Sequence, residues 1–164
     1  LVGGVFNEVN QDVYNNRQNP NPFKFKYSRK DLQDWANFYQ ISINWPDIFP
    51  LNAVNVMRGV IVANSFEKLI PFSSSCFEAY WSKGTDISEL GTLSKIAESI
   101  GIDKEEFNKK IIHKDTKDLL RSNTDELINR GGFGSPTVFI DNDDMYFGND
   151  RMELIRNKIL EEKK

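Results

Sequence analysis

Phe133-Gly134-Ser135-Pro136-Thr137-Val138-Phe139-Ile140 is the stretch that decides the fold. Up to Gly131-Gly132 the apolar residues recur at helical spacing, which predicts a helix over 117–130. Thr137 to Ile140 then changes the period, because a β-branched and aromatic run suits a strand. Asp141 to Asp144 supplies turn chemistry, and Met145-Tyr146-Phe147 returns as a hairpin partner. Gly148 to Asp150 opens a last helix with Met152, Ile155 and Ile159 on one face.

Toward the other end, Leu1-Val2 followed by Gly3-Gly4-Val5-Phe6 resembles a strand running into a permissive turn. Residues 7–21 are rich in Asn, Gln and Asp, and Pro20 and Pro22 discourage a regular element, so a loop is expected. Polar side chains there either meet a ligand or form a solvated connector. Ser28 and Asp31 resemble a capping box for a helix over 29–39. Trp45-Pro46 and Phe49-Pro50 bracket an extended stretch, and further helices are expected over 52–69, 72–83, 90–100 and from Asp103 to 112. Pro71 is read as a break, and Gly84 and Gly101 as helix ends.

The order is strand, a long run of helices, a hairpin and a terminal helix. It predicts an α/β fold, with residues 1–164 a single domain in which about 28–112 form an inserted helical sub-domain.

The bulk properties narrow the partners. The chain has 164 residues, 39% of them hydrophobic, and a formal charge of −3 spread over residues of both signs. There is no basic field of the kind that gathers nucleic acid, and no apolar run approaches a membrane span. Cys76 is the single cysteine, so neither an internal disulfide nor a Cys-x-x-Cys pair can form, which fits a reducing, cytoplasmic setting. Its neighbours Phe77, Ala79, Tyr80 and Trp81 look like an apolar helix face, where cysteine acts as a small hydrophobe. His113, the one histidine, lies among Lys109, Lys110, Lys114 and Asp115 and is read as a solvated surface residue. A Cys/His metal cluster is excluded.

Five segments carry a family resemblance when taken in order: Gly3-Gly4-Val5-Phe6; Trp45-Pro46-x-x-Phe49-Pro50-x-Asn52; Phe77-x-Ala79-Tyr80-Trp81-x-x-Gly84-x-Asp86-Ile87-Ser88; Phe133 to Ile140; and Phe147-Gly148-Asn149-Asp150-Arg151. Together they resemble the 2-hydroxychromene-2-carboxylate isomerases and kappa-class glutathione transferases, which are DsbA-like members of the thioredoxin superfamily. The likeness implies a thioredoxin-like fold with a helical insertion, in which a cis Pro136 precedes a strand.

It also implies glutathione as cofactor. Ser135 would offer its backbone N–H and C=O to the cysteine part of the tripeptide, as an added strand would. Phe147, Gly148, Asn149 and Asp150 would hold the γ-glutamyl end. There a helix N-terminus suits the α-carboxylate and Asp150 the α-ammonium; the alternative is that Asn149 and Asp150 merely cap the helix. From the polar loop an asparagine is expected near the ligand. Asn15, Asn16 and Asn19 compete for that place and Asn19 is preferred as the substrate-binding residue, with Lys24 or Lys26 as a nearby cation. The reactive residue is expected to be a serine before Leu1, in a strand, turn and helix that precede the chain as given.

The implied activity is isomerisation or conjugation of a small electrophilic, aromatic-derived substrate through bound glutathione, and the resemblance allows a homodimer. Two rivals stand beside it. A DsbA-type thiol–disulfide oxidoreductase would require a Cys-x-x-Cys pair in the preceding segment. A non-catalytic interaction protein would show a large exposed apolar patch on the helices.

Overall fold

The structure, a computed structural model, describes residues 1–161. In chain order the elements are α1 (Val2–Val9), α2 (Asp12–Gln18), α3 (Pro22–Phe38), α4 (Val54–Asn64), α5 (Leu69–Phe77) running into a π-helical turn (Glu78–Ser82), α6 (Leu90–Ser99), α7 (Lys104–Ile111) and α8 (Lys114–Asn129). Strands β1 (Thr137–Ile140) and β2 (Asp144–Phe147), a 3-10 turn (Asn149–Arg151) and α9 (Met152–Glu161) follow. The chain forms two compact units: a helical unit, Pro20–Arg121, and a second unit made of Leu1–Asn19 and Ser122 onward.

In the helical unit, α3 starts seven residues before the expected position 29. Asn21 is its N-cap, its side-chain oxygen accepting from the N–H groups of Phe23 (3.0 Å) and Lys24 (3.2 Å). Pro22 occupies the first helical position, where the missing N–H has no partner to lose. The proline read as a breaker is therefore a starter. Pro71 likewise lies inside the first turn of α5. Asp103 caps α7 as expected, accepting from the Glu106 N–H at 2.8 Å.

The core of this unit gathers around Phe72 and Phe107, both fully buried, with ring centroids 5.6 Å apart. Leu93, Ala97 and Ile111 complete it. Each of the Phe, Leu and Ile side chains stabilises the fold by roughly 1.5–3 kcal/mol through removal of apolar surface from water. Gly59 on α4 is what lets the rings in: a Cβ there would lie 2.8 Å from Phe72 Cζ and 3.3 Å from Phe107 Cζ. Cys76 packs in the same cluster, and burial pushes its thiol up to about 12.

The second unit departs most from expectation. Leu1-Val2 is not the end of a strand, and Gly3-Gly4 is not a turn; both glycines lie inside α1. Val2, Val5, Phe6 and Val9 have the i, i+3, i+4, i+7 spacing of a helix face, and Val5 is fully buried. A Cβ at Gly4 would meet the Thr124 methyl of α8 at 3.0 Å, so the glycine serves close packing of two helices.

The expected polar loop contains α2, which is tied back by local contacts. Tyr14 donates to the Asn7 side chain at 2.7 Å and meets the Phe6 ring edge-on at 6.4 Å, while the Arg17 guanidinium lies over Phe6 at 5.8 Å.

The hairpin forms as expected. Thr137 pairs with Phe147, Val138 with Tyr146, Phe139 with Met145 and Ile140 with Asp144. Arg130, just past α8, stacks over the Phe139 ring at 3.8 Å and donates through Nη2 to the carbonyls of Asp141 (3.2 Å) and Asn142 (2.7 Å). One side chain thus supports the strand and closes its turn. Among the described residues β1 pairs with β2 alone.

Gly59→Ala is expected to lower stability by about 1 kcal/mol, because overpacking of the buried rings outweighs the helix-propensity gain of similar size. The matched change Gly91→Ala in α6, where an added Cβ meets nothing within 4 Å, should be neutral or stabilising in the same urea titration.

The buried thiol supplies a second test. Unfolded Cys76 ionises near 9 and folded Cys76 near 12, so unfolding releases a proton between those values. Its stabilising effect is complete below pH 9 and is lost as pH rises from there through the folded value, at most about 1.4 kcal/mol per unit. Unfolding free energy should therefore fall above pH 9, with a flatter fall in Cys76→Ala, and Ellman's reagent at pH 8 should label the thiol only on denaturation.

Candidate functional site

Two short segments of the second unit are brought together by the hairpin register: Phe133–Thr137 entering β1 and Phe147–Arg151 leaving β2. The Ser135–Pro136 bond is cis. Beyond the Thr137–Phe147 rung, the Gly148 N–H donates to the Pro136 carbonyl at 3.2 Å, and the Thr137 hydroxyl donates to the Gly134 carbonyl at 2.8 Å. These bonds occupy the carbonyls on either side of Ser135. Its own N–H and C=O have no hydrogen-bond partner among the described residues, and Ser135 is exposed.

Aromatic packing holds the two segments in contact. Phe133 and Phe147 have ring centroids 4.5 Å apart, and a Cβ at Gly134 would lie 2.9 Å from the Phe147 ring. Gly134 therefore has to be small for Phe147 to cover it. Phe147 is still 39% exposed, so the packed pair presents an apolar rim.

Gly148 has φ 114° and ψ 150°, backbone that a side chain resists, and turns the chain from β2 into the 3-10 turn. A Cβ there would also lie 2.6 Å from Asp150 Oδ1. Asp150 Oδ2 accepts from Arg151 Nη1 at 2.9 Å, with both side chains about half exposed. Asn149, Asp150 and Arg151 thus open α9 with a carboxylate and a guanidinium on one short turn, whose helix-start N–H groups have no side-chain cap.

Ser135, Pro136, Phe147, Gly148, Asn149 and Asp150 are thus gathered by the hairpin. Asn19 is exposed at the end of α2, and its side chain makes no hydrogen bond among the described residues. Asn10, in the same stretch, donates through Nδ2 to the Phe133 carbonyl at 3.0 Å. Asn10 lies in the same expected loop as Asn15, Asn16 and Asn19 with no local signal to mark it, and Arg151 ends the Phe147-to-Arg151 motif without a role assigned to it there. The adjacency of Arg151 to Asp150 was a visible signal.

Cys76 is buried with a raised pKa, so it is no thiolate nucleophile. His113 Nδ1 lies 3.5 Å from the Asp115 carboxylate, with both side chains largely exposed. No group of metal-ligating side chains occurs among the described residues, and none of their helices is long and apolar enough to cross a membrane.

Comparison with known proteins bears on this geometry. The chain is 28% identical to a 2-hydroxychromene-2-carboxylate isomerase of Pseudomonas sp. (strain C18) over 138 residues, 83% of this chain and 63% of that protein. It is 30% identical to human glutathione S-transferase kappa 1 over 148 residues, 82% of this chain and 65% of that protein. A solved 2-hydroxychromene-2-carboxylate isomerase superposes with a TM-score of 0.74 at 25% identity, covering 84% of this chain and 66% of that one. The chain thus spans a little under two thirds of the length of these relatives, which are enzymes. The fold is accordingly thioredoxin-like, mostly helical with a small antiparallel sheet. The family model of the DSBA-like thioredoxin domain matches residues 5–160, and the chain belongs to that family.

Proposed function

We propose that this chain binds glutathione and belongs to an enzyme that isomerises or conjugates an electrophilic, aromatic-derived substrate. The observation that carries the reading is the open backbone of Ser135, next to a Pro136 whose carbonyl is bonded to Gly148 at the head of the turn that bears Asp150 and Arg151. A peptide strand needs one N–H and one C=O to pair with, and Ser135 has both free while its neighbours' carbonyls are occupied.

The residues present fit the tripeptide. Ser135 holds the cysteinyl backbone. Asp150 Oδ1, the oxygen not used by Arg151, accepts from the α-ammonium, while Arg151 and the N–H groups opening α9 balance the α-carboxylate. Phe133 and Phe147 wall the apolar side. Bound glutathione supplies a nucleophilic thiolate, whose reversible addition to a conjugated double bond permits rotation there and whose irreversible addition is conjugation. The side chains named here bind and orient; none is an acid or base for the reaction. The kappa-class relative supports glutathione, and the isomerase relatives support an aromatic-derived substrate.

Calorimetry with glutathione tests the reading. Asp150→Ala is expected to weaken binding by about 1–3 kcal/mol, the range for losing a charge-assisted hydrogen bond. Ser135→Ala should bind like the parent, because only backbone is engaged. Unchanged affinity in a folded Asp150→Ala variant would return Asp150 to helix capping, and absence of binding to the parent would remove the proposal.

A further inference from the structure

The helical unit holds a cleft of about 580 Å³ that plays no part in the glutathione reading. It is formed by Leu32 of α3, the segment Ile41 to Ile43, Ser74 and Phe77 of α5, and the π-helical turn. Its volume lies within the roughly 300–1,000 Å³ typical of small-molecule sites. π-helical turns are rare, and they concentrate where helices build such sites.

The cleft is pre-formed. In the π turn the Lys83 N–H reaches the Glu78 carbonyl five residues back at 3.1 Å, leaving the carbonyls of Trp81 and Ser82 for other partners. The Asn44 backbone N–H donates to Trp81 O at 2.6 Å and the Asn44 side chain to Ser82 O at 2.7 Å. The Ser82 hydroxyl returns a bond to Ser42 O at 2.6 Å. Three bonds therefore fix the 42–44 segment against the turn, and the opening between them does not depend on a ligand to hold it apart.

The lining chooses its occupant. Leu32, Ile43, Phe77 and Trp81 supply aliphatic and ring surface, and Phe77 is 65% exposed although it belongs to a packed helix. The polar groups are few. The Ser42 and Ser74 hydroxyls have no hydrogen-bond partner among the described residues. Glu78 is the one charged residue of the lining, and its carboxylate already lies 2.8 Å from Lys83 Nζ. An anion would face a carboxylate and no cation of the lining; a cation would find that carboxylate engaged. We infer that the cleft is a second, glutathione-independent binding site for an uncharged, largely apolar aromatic molecule, packed against the Leu32, Phe77 and Trp81 side chains and oriented by hydroxyl hydrogen bonds.

Titration of the chain with 2-naphthol, 2-naphthoate and 2-naphthylmethylammonium by calorimetry at pH 7 tests this. Saturable binding of 2-naphthol, at least tenfold tighter than either charged analogue, is expected. Ser74→Phe, which fills the cleft, should weaken it tenfold or more. Ile41→Glu, at a position 55% exposed and so tolerant of charge, should shift preference toward the ammonium analogue. Asp150→Ala should leave 2-naphthol binding unchanged whether or not glutathione binds, which separates this site from the other. Equal affinity for the three probes, or full 2-naphthol affinity in folded Ser74→Phe and Ile41→Glu, would overturn the assignment.

Discussion

Pairing of Thr137 with Phe147 is the constraint on which the candidate site depends. Strand side chains alternate faces, so a slip of one residue in this register would turn Phe147 away from Phe133 and carry the Asn149–Arg151 turn off the Ser135 backbone. A four-residue hairpin is weakly specified by itself. Here the register is locked at both ends: the Gly148 N–H to Pro136 bond and the Phe147 ring over Gly134 hold the open end. Arg130 holds the turn, because a rigid guanidinium can stack on Phe139 and still donate to two carbonyls.

The helical unit rests on a different kind of constraint, which is volume. Phe72 and Phe107 meet across Gly59, and Leu93, Ala97 and Ile111 close round them with little slack. On the rim of that core the chain uses wide backbone instead of tight packing. The π turn at Glu78–Ser82 leaves carbonyls that Asn44 claims, and its Trp81 packs against the core while lining the cleft. Two surfaces of contrasting chemistry result, one in each unit. Free peptide groups and paired charges around Ser135 and Asp150 suit a zwitterionic peptide, and the apolar cleft beside Trp81 suits a neutral ring.

Membership of the DSBA-like thioredoxin family explains why a cis proline and a following strand occur here, and it does not choose among the chemistries that the fold supports. Oxidoreductase chemistry of the dithiol kind would need two reactive thiols, and Cys76, buried with its thiol held protonated, does not supply one of them. Isomerase and transferase relatives align over 83% and 82% of the chain, and Ser135 and Asp150 offer backbone and charge in place of a protein nucleophile.

Much was legible in the sequence wherever a short-range rule governed. The strand at Thr137, its turn and its return followed from period and turn chemistry, and Asp103 followed from capping; each involves residues a few positions apart. Local rules misled where distant packing decided. Gly3-Gly4 reads as a turn until Thr124, 120 positions away, is seen to occupy the space a Cβ would take. Pro22 reads as a breaker until Asn21 is seen to cap the helix it starts. Asn10 acquires a role only because its side chain meets the Phe133 carbonyl, 123 positions along the chain. The sequence by itself determined the hairpin, the Asp103 cap and the family, since these are encoded in contiguous motifs. Only the tertiary structure decided that Asn10 meets the Phe133 carbonyl, that the first helix is a helix, and that a cleft opens beside Trp81, because each depends on contacts between residues far apart in the chain.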